Sequence, residues 1–324
     1  MKVLVTGGAG YIGSHFVKIL INEGIDCIVV DNLSRGHKEA VSSNVKLEII
    51  DLLDIKEIEN VIKRHNVDSV VHFAAFAYVG ESVENPAMYY QNNVVGSFNL
   101  IKAVVESGIE KFVFSSTCSL YGNPEKVPIS EDQATNPINP YAQTKLTIEN
   151  MLKDFEHAYS LKSVCLRYFN AAGADFSGEI GESHDPEPHL IPIVLNTALG
   201  IKEQVLVFGD DYETKDGTCI RDYIHINDLG NAHLRALQYL NNGGESSIIN
   251  LGTGEGNSVK EIIDTAEKIT KKTIKKKIVG RRPGDPAVLI ADNTKAKRIL
   301  GWEPKYNLEQ TISSAYKWHS NRRY

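Results

Sequence analysis

The stretch YAQTK, residues 141–145, sets a phenol and an ammonium four residues apart. On a helix, Tyr141 and Lys145 lie one turn apart on one face. A phenolate there could take the proton of an alcohol. Free tyrosine titrates near pH ~10, so a phenolate at neutral pH needs a depression of roughly 3 units, about 4 kcal/mol. One close positive charge supplies roughly 1–3 units, which leaves Lys145 alone marginal. A second positive charge beside the ring would have to supply the rest. A third candidate, Thr117, closes the run KFVFSST (111–117). Strand ends of open α/β sheets are where ligands bind. Tyr-x-x-x-Lys is common by chance, so its meaning rests on the elements around it.

Those elements alternate in the first half of the chain. Short apolar, β-branched runs fall at 2–6, 27–30, 46–50, 69–73, 111–115 and 163–169. Between them lie segments with helical spacing. Ile12, Phe16, Ile19 and Leu20 share a face that ends on Gly24; Ile55, Ile58 and Ile62 share another within 55–65. Residues 86–108 read as one longer helix, opened by Pro86 and closed by Gly108. Residues 139–160, which carry Tyr141 and Lys145, open with Asn-Pro. Buried strands with crossover helices make an α/β, doubly wound parallel sheet. After about residue 170 the alternation loosens into a smaller mixed α/β lobe over 171–324, with a return to the main sheet within 220–255.

The first strand runs into VTGGAGYIGSH. Gly7, Gly10 and Gly13 allow a tight turn and close approach of a pyrophosphate to a helix N-terminus, where unpaired N–H groups favour anions. Position after a strand and before a helix makes this a Rossmann-type dinucleotide turn. Asp31 ends the second strand, 18 residues after Gly13. An acid there accepts hydrogen bonds from a ribose diol and repels a 2′-phosphate, favouring NAD over NADP; Arg35 nearby works against that. Asp51, after the third strand, could meet the adenine edge or cap the next helix.

A strand-end hydroxyl followed by Tyr-x-x-x-Lys, behind this glycine turn, resembles the short-chain dehydrogenase/reductase family. The length and second lobe resemble its extended branch, whose members act on nucleotide sugars. Within it, HFAAFAYVGESV, YYQNNVVGS, FSSTCSLYG, NPYAQTK, LRYFNAAGA and DGTCIRDYIHINDL resemble the UDP-hexose 4-epimerases, over most of the chain. The resemblance implies a catalytic set of Tyr141, Lys145 and Thr117. It implies NAD contacts from Gly7, Gly10, Tyr11, Ile12, Gly13, Asp31, Asn32, Asp51, Leu52, Phe73, Ala74, Ala75, Asn92, Ser115 and Tyr168, besides Tyr141 and Lys145. Lys145 would hold the nicotinamide ribose.

For a UDP-sugar, the resemblance implies Asn170 at the phosphates and His189 and Leu190 in the nucleotide site. Val207 and Phe208 would flank uracil, Arg221 and Arg282 would bind the pyrophosphate, and Asp285 would take the ribose. Two guanidiniums suit a diphosphate. Dehydratases of this branch carry an Asp-Glu pair after the strand-end Ser-Thr, to eliminate across the 5,6 bond. Cys118 and Ser119 stand there instead, which leaves a 4-keto sugar only the way back to an alcohol. Two positions depart from the pattern. Ala77 replaces a lysine that reaches the nicotinamide ribose in some members. Leu289, at the sugar-pocket wall, is intermediate in size and leaves acceptance of N-acetylated or pentose UDP-sugars open.

Composition limits the alternatives. The chain has 324 residues, 42% hydrophobic and 23% charged, enough for a large core. A net charge of −6 argues against a nucleic-acid binder. The lysines at 271, 272 and 275–277 read as a solvated surface. No run approaches the ~18 apolar residues of a membrane span. The opening MKVLVTGG leaves no room for a signal peptide. Cys27, Cys118, Cys165 and Cys219 are scattered, without C-x-x-C, suggesting neither a disulfide framework nor a zinc site. No metal is expected. A cytoplasmic enzyme is expected, paired as a homodimer through helices 86–108 and 139–160.

Overall fold

In the computed structural model, which describes residues 1–282 and 285–324, the alternating half folds as a seven-stranded sheet. Its strands are β1 (Lys2–Thr6), β2 (Asp26–Asp31), β3 (Lys46–Ile49), β4 (Ser69–His72), β5 (Lys111–Ser115), β6 (Lys162–Tyr168) and β7 (Ser247–Leu251). Spatial order is β7-β6-β5-β4-β1-β2-β3, and every neighbouring pair is parallel. The order reverses between β1 and β4, so a crevice opens above their C-terminal ends.

Side chains alternate across the sheet and both faces are buried. Val3, Val5 and Val29 face one core with Phe16, Val17 and Leu20 of α1 (Tyr11–Asn22). Leu4, Ile28 and Val30 face the other, with Ile58, Val61 and Ile62 of α2 (Ile55–His65). Fully burying each such side chain contributes roughly 1.5–3 kcal/mol. α2 is capped by Asp54, whose carboxylate accepts from Glu57 N at 3.2 Å.

Residues 86–108 depart from the single helix expected. Pro86–Tyr89 is α-helical, Tyr90–Val95 is a π-helical turn, and α3 (Gly96–Glu106) continues beyond. The reason lies in Asn93. Its buried amide accepts from Phe76 N at 2.8 Å and donates to Phe76 O at 3.0 Å and Thr144 Oγ1 at 3.1 Å. A wider turn brings Asn93 to the loop after β4, and hydrophobic periodicity does not encode that choice. α4 (Pro140–Tyr159) starts where Asn139 accepts from Ala142 N at 2.8 Å, with Pro140 in its first turn.

The run at 219–226 divides at Asp222. Ile220–Arg221 joins a three-stranded sheet with Asn257–Ser258 and Val288–Leu289; Tyr223–His225 pairs with Asn170–Ala172. Asp222 is fully buried and accepts from the backbone N–H groups of Thr253, Gly254 and Ala291. Two other segments of the chain, at 253–254 and at 291, are thereby tied to one carboxylate. Helix α5 (Ile226–Asn241) packs back beside α1. The remaining lobe has its own core, in which the helices Leu190–Ala198, Val259–Thr270 and Leu308–Ser320 bring Val194, Ile262 and Ile312 together. No helix among the described residues is long and apolar enough to cross a membrane.

Candidate active site

The glycine turn joins β1 to α1 under tight contact. Gly7 has φ +73°, and a Cβ on it would lie 2.5 Å from Ala74 N. A Cβ on Gly13 would lie 2.2 Å from Gly7 O and 2.8 Å from Gly8 Cα. Backbone and backbone therefore approach where a side chain would intrude, which is the cradle that a dinucleotide pyrophosphate needs. Phe73 N and Ala74 N both donate to Thr6 O, at 2.9 and 3.1 Å, and fix the floor of this cradle; Ala75 follows, half-buried. Tyr11 and Ile12 start α1, and the Tyr11 hydroxyl donates to Gly173 O at 2.6 Å.

Asp31 ends β2 almost buried. It accepts from Ala9 N at 2.9 Å and Leu33 N at 2.8 Å, while burial pulls its carboxyl above the ordinary range. Arg35 is engaged elsewhere, with Glu81 at 2.5 Å. Asp51 does not cap α2, a role that Asp54 takes. It is exposed, accepting from Asn32 Nδ2 at 2.9 Å and Leu53 N at 2.8 Å, with Leu52 half-buried beside it. Asn92, in the π-turn, donates to Asn93 Oδ1 at 2.9 Å. These groups could hold NAD: glycine backbone for the pyrophosphate and a carboxylate at the end of β2 for a ribose.

The candidate reacting groups lie at the C-terminal end of β5. Tyr141 is 7% exposed and Lys145 2%. The Thr117 side chain stands beside the Tyr141 phenol. Burial, helped by nearby Tyr168, pushes its phenol well above the usual value, and the neighbouring Thr117 opposes this only in part. Thr117 Oγ1 accepts from Ser119 N at 3.2 Å. Lys145 points elsewhere. Its Nζ donates to Ser115 O at 2.8 Å and sits 4.8 Å over the Phe114 ring. Burial draws it down to about 7, against the pull of Glu149. Ser115 Oγ donates to the Tyr168 hydroxyl at 3.1 Å.

In this arrangement burial favours the protonated phenol. Lys145 is not among the neighbours acting most on it, so a positive charge arriving beside the ring would be what turns it into a base.

Behind this pair stands a network that spacing did not single out. Glu149 is bound by Arg167 at 2.5 Å, with both side chains at most 5% exposed, and accepts from Ser116 Oγ at 2.6 Å. Arg167 donates to the Tyr121 hydroxyl at 3.0 Å, which in turn donates to Asn250 Oδ1 at 2.7 Å. A sequence signal existed: Glu149 is one more helical turn along the face of Tyr141 and Lys145. At the position where an acid would permit elimination, burial pushes the Cys118 thiol up to about 12, although Arg221 pulls the other way.

On the second lobe, Arg221 is ion-paired with Asp285. Leu289 lies opposite Arg221 in the sheet register and packs with Cys118 around Tyr121, Ile129, Phe169 and Ala291. This places Leu289 next to the strand end that carries Thr117. Arg282 is tied to the Arg221–Asp285 pair, its carbonyl accepting from Asp285 N at 3.3 Å, and its guanidinium stacks 3.9 Å over the Phe208 ring, beside buried Val207. Asn170 N donates to Asp222 O at 2.9 Å, leaving the side chain half-buried. Leu190 opens its helix, and His189 before it is held by Glu187, which accepts from His189 N at 3.0 Å.

Comparison with known proteins places this geometry. The family model described as GDP-mannose 4,6 dehydratase matches residues 4–315. A UDP-glucose 4-epimerase of Halalkalibacterium halodurans is 52% identical over 98% of this chain and 96% of its own length. One from Rhizobium meliloti is 51% identical over 99% and 98%. A crystal structure of UDP-glucose 4-epimerase from Brucella ovis in complex with NAD superposes with a TM-score of 0.95, at 47% identity over 97% of each chain.

Proposed function

The chain belongs to the UDP-glucose 4-epimerase family, in the extended short-chain dehydrogenase/reductase group, and from that premise we propose that it interconverts UDP-galactose and UDP-glucose. The observation that carries the reading is Tyr141, buried beside Thr117 at a strand end, with Cys118 and no acid next to it. NAD, when bound, supplies the acceptor and donor of the hydride at the sugar's C4. Gly7, Gly10 and Gly13 would present backbone to its pyrophosphate, and Asp31 would meet its adenosine ribose. Lys145 would exchange Ser115 O for the nicotinamide ribose.

Tyr141 takes the proton of the 4-hydroxyl, and Thr117 keeps the reacting oxygen and the phenol in one hydrogen-bonded path. The sugar passes through a 4-keto form. Tyr141 then returns the proton, and net redox change is zero. With no carboxylate at 118 or 119, nothing withdraws the C5 proton for elimination. Arg221 and Arg282 grip the diphosphate, Asn170 supports it, and Asp285 takes the uridine ribose. Phe208, with Val207 behind it, supplies a face for uracil; His189 and Leu190 close that end.

The active form proposed is a homodimer in the cytoplasm. Val95, Phe98 and Tyr159 are 39%, 41% and 57% exposed on the two long helical segments, and Phe98 packs edge-on to Phe155. Such apolar surface suits an isologous pair, and solution mass reads it directly.

The deciding experiment supplies purified protein with UDP-galactose and no reductant. UDP-glucose should accumulate to an equilibrium mixture while the bound NAD is conserved. A protein that carries NAD yet makes no UDP-glucose would exclude this activity. UDP-N-acetylgalactosamine in parallel reports whether Leu289 admits the larger sugar.

A further inference from the structure

The loop between Asn170–Ala172 and the helix Leu190–Ala198 gathers a cluster of which the proposed function uses only His189, at the nucleotide end. Glu182, His184, Glu187 and His189 each turn one donor atom inwards, and these atoms all lie within 4.8 Å of one another. His184 Nδ1 is 3.3 Å from Glu182 Oε1 and 3.5 Å from Glu187 Oε2. His189 Nδ1 is 2.7 Å from Glu182 Oε1 and 3.0 Å from Glu187 Oε1. Bonds of about 2.0–2.2 Å to a tetrahedral zinc set neighbouring donors roughly 3.3–3.6 Å apart. The two separations from His184 fall in that range, and the two from His189, at 2.7 and 3.0 Å, are shorter.

Burial makes the cluster more than a surface charge group. The side chains of Glu182 and Glu187 are 4% and 9% exposed. Two carboxylates so placed need two positive charges close by. The side-chain atoms His184 Nδ1 and Glu187 Oε2 are fully buried, and neither makes a hydrogen bond. Each lies 3.3–3.5 Å from an oppositely charged group without the alignment of a hydrogen bond. A cation between them satisfies both. The donor set selects among cations: two imidazole nitrogens with two carboxylate oxygens suit zinc, whereas calcium and magnesium take oxygen ligands throughout.

We propose that Glu182, His184, Glu187 and His189 form a structural zinc site, which ties the loop at 173–189 to the helix Leu190–Ala198. The same loop is bound on its other sides, since Glu182 O accepts from Trp318 Nε1 at 2.8 Å and the edge of His184 meets the rings of Tyr11 and Tyr78. Zinc on the four inward atoms would fix the entry to Leu190, and so one wall of the proposed nucleotide site. Coordination through Nδ1 leaves Nε2 of His189 free to contact a substrate, and that side chain is 44% exposed. The scattered cysteines gave no hint of this, because none of the four residues is one.

The test uses tag-free full-length protein, purified without chelators and then measured for metal by mass spectrometry. About one zinc per chain is expected after buffer exchange. Dipicolinate should lower the melting temperature, with zinc restoring it and magnesium failing to. Cobalt in its place should give the visible absorption of a tetrahedral site. His184→Asn and Glu187→Gln should each cut retained zinc at least tenfold at equal chelator concentration. Wild-type protein that takes up no zinc from an equimolar solution, with an unmoved melting temperature, overturns the proposal. The cluster would then be two imidazolium–carboxylate pairs. Zinc retained undiminished in both folded variants overturns it equally, by locating the ion elsewhere. The wild-type measurement decides alone should either variant fail to fold.

Discussion

The proposed cofactor side and the proposed substrate side of this crevice are built on different terms. The cofactor side is backbone. Gly7 and Gly13 leave no room for a methyl group, and Asp31 is pinned by the N–H groups of Ala9 and Leu33, all within one short stretch of chain. The proposed substrate side is side chains, drawn from residues 170 to 289, and its cations already have internal partners: Arg221 holds Asp285, and Arg282 lies on Phe208. A backbone cradle has one shape before and after its ligand arrives. A side-chain site has to exchange internal partners for external ones. The first should therefore be sensitive to volume and the second to charge geometry.

The largest effect is expected where the two sides meet. Tyr141→Phe removes the proton carrier and keeps the ring, so kcat should fall by roughly 10²–10⁴. UDP affinity and bound NAD should stay near wild type; a variant with undiminished kcat would move the base elsewhere. Next comes volume on the cofactor side. Gly13→Ala drives a methyl into Gly7 O, a cost of about 1–3 kcal/mol. The purified variant should have lost most of its NAD, by absorbance and by mass. Full retention would show that the cradle yields, and the contrast between the two sides would go with it.

Charge geometry on the substrate side is a smaller test. Arg221→Lys keeps the charge and loses the fork; hydrogen bonds to a charged group contribute about 1.5–3 kcal/mol. KM for UDP-galactose should rise about tenfold, with kcat and bound NAD unchanged. Loss of NAD instead of affinity for the sugar nucleotide would mean that the two sides are not separable.

The smallest effect sharpens the picture of Lys145. Burial lowers it from 10.5 to about 7. Between those values the unfolded chain holds a proton that the folded chain does not. Stability from this group therefore rises with pH across that window and is least below it. In cofactor-stripped protein, Lys145→Met should flatten the rise of melting temperature between pH 7 and the lysine range. An unchanged profile would mean that Lys145 stays charged in its place.

The difference between the sides also governs what could be read in advance. Strand and helix limits in the first half follow from apolar period and glycine punctuation, as at Gly24 and Asn139–Pro140. The glycine turn was legible because a backbone cradle needs glycine at set intervals. Asp51 and Asp54 stand three residues apart before α2 and offer the same chemistry, so only local geometry decides which of them caps. The direction of Lys145 was not legible either: a flexible stem reaches Ser115 O as readily as the phenol. Arg221 and Asp285 are 64 residues apart, and nothing local in either points to the other. The substrate side could be approached only through resemblance.

The π-turn at Tyr90–Val95 has a consequence for phase. An α-helix advances about 100° per residue, and a π-turn holds one residue more than that winding would use. Pro86–Tyr89 and α3 are therefore set out of step by design of the chain. The first keeps Tyr89 on the loop after β4, where its hydroxyl meets Tyr78 and Glu81. The second keeps Leu100, Ile101 and Val104 in the core. Removing one residue between them would leave a more regular helix and a worse protein, with one of its two faces rotated to solvent.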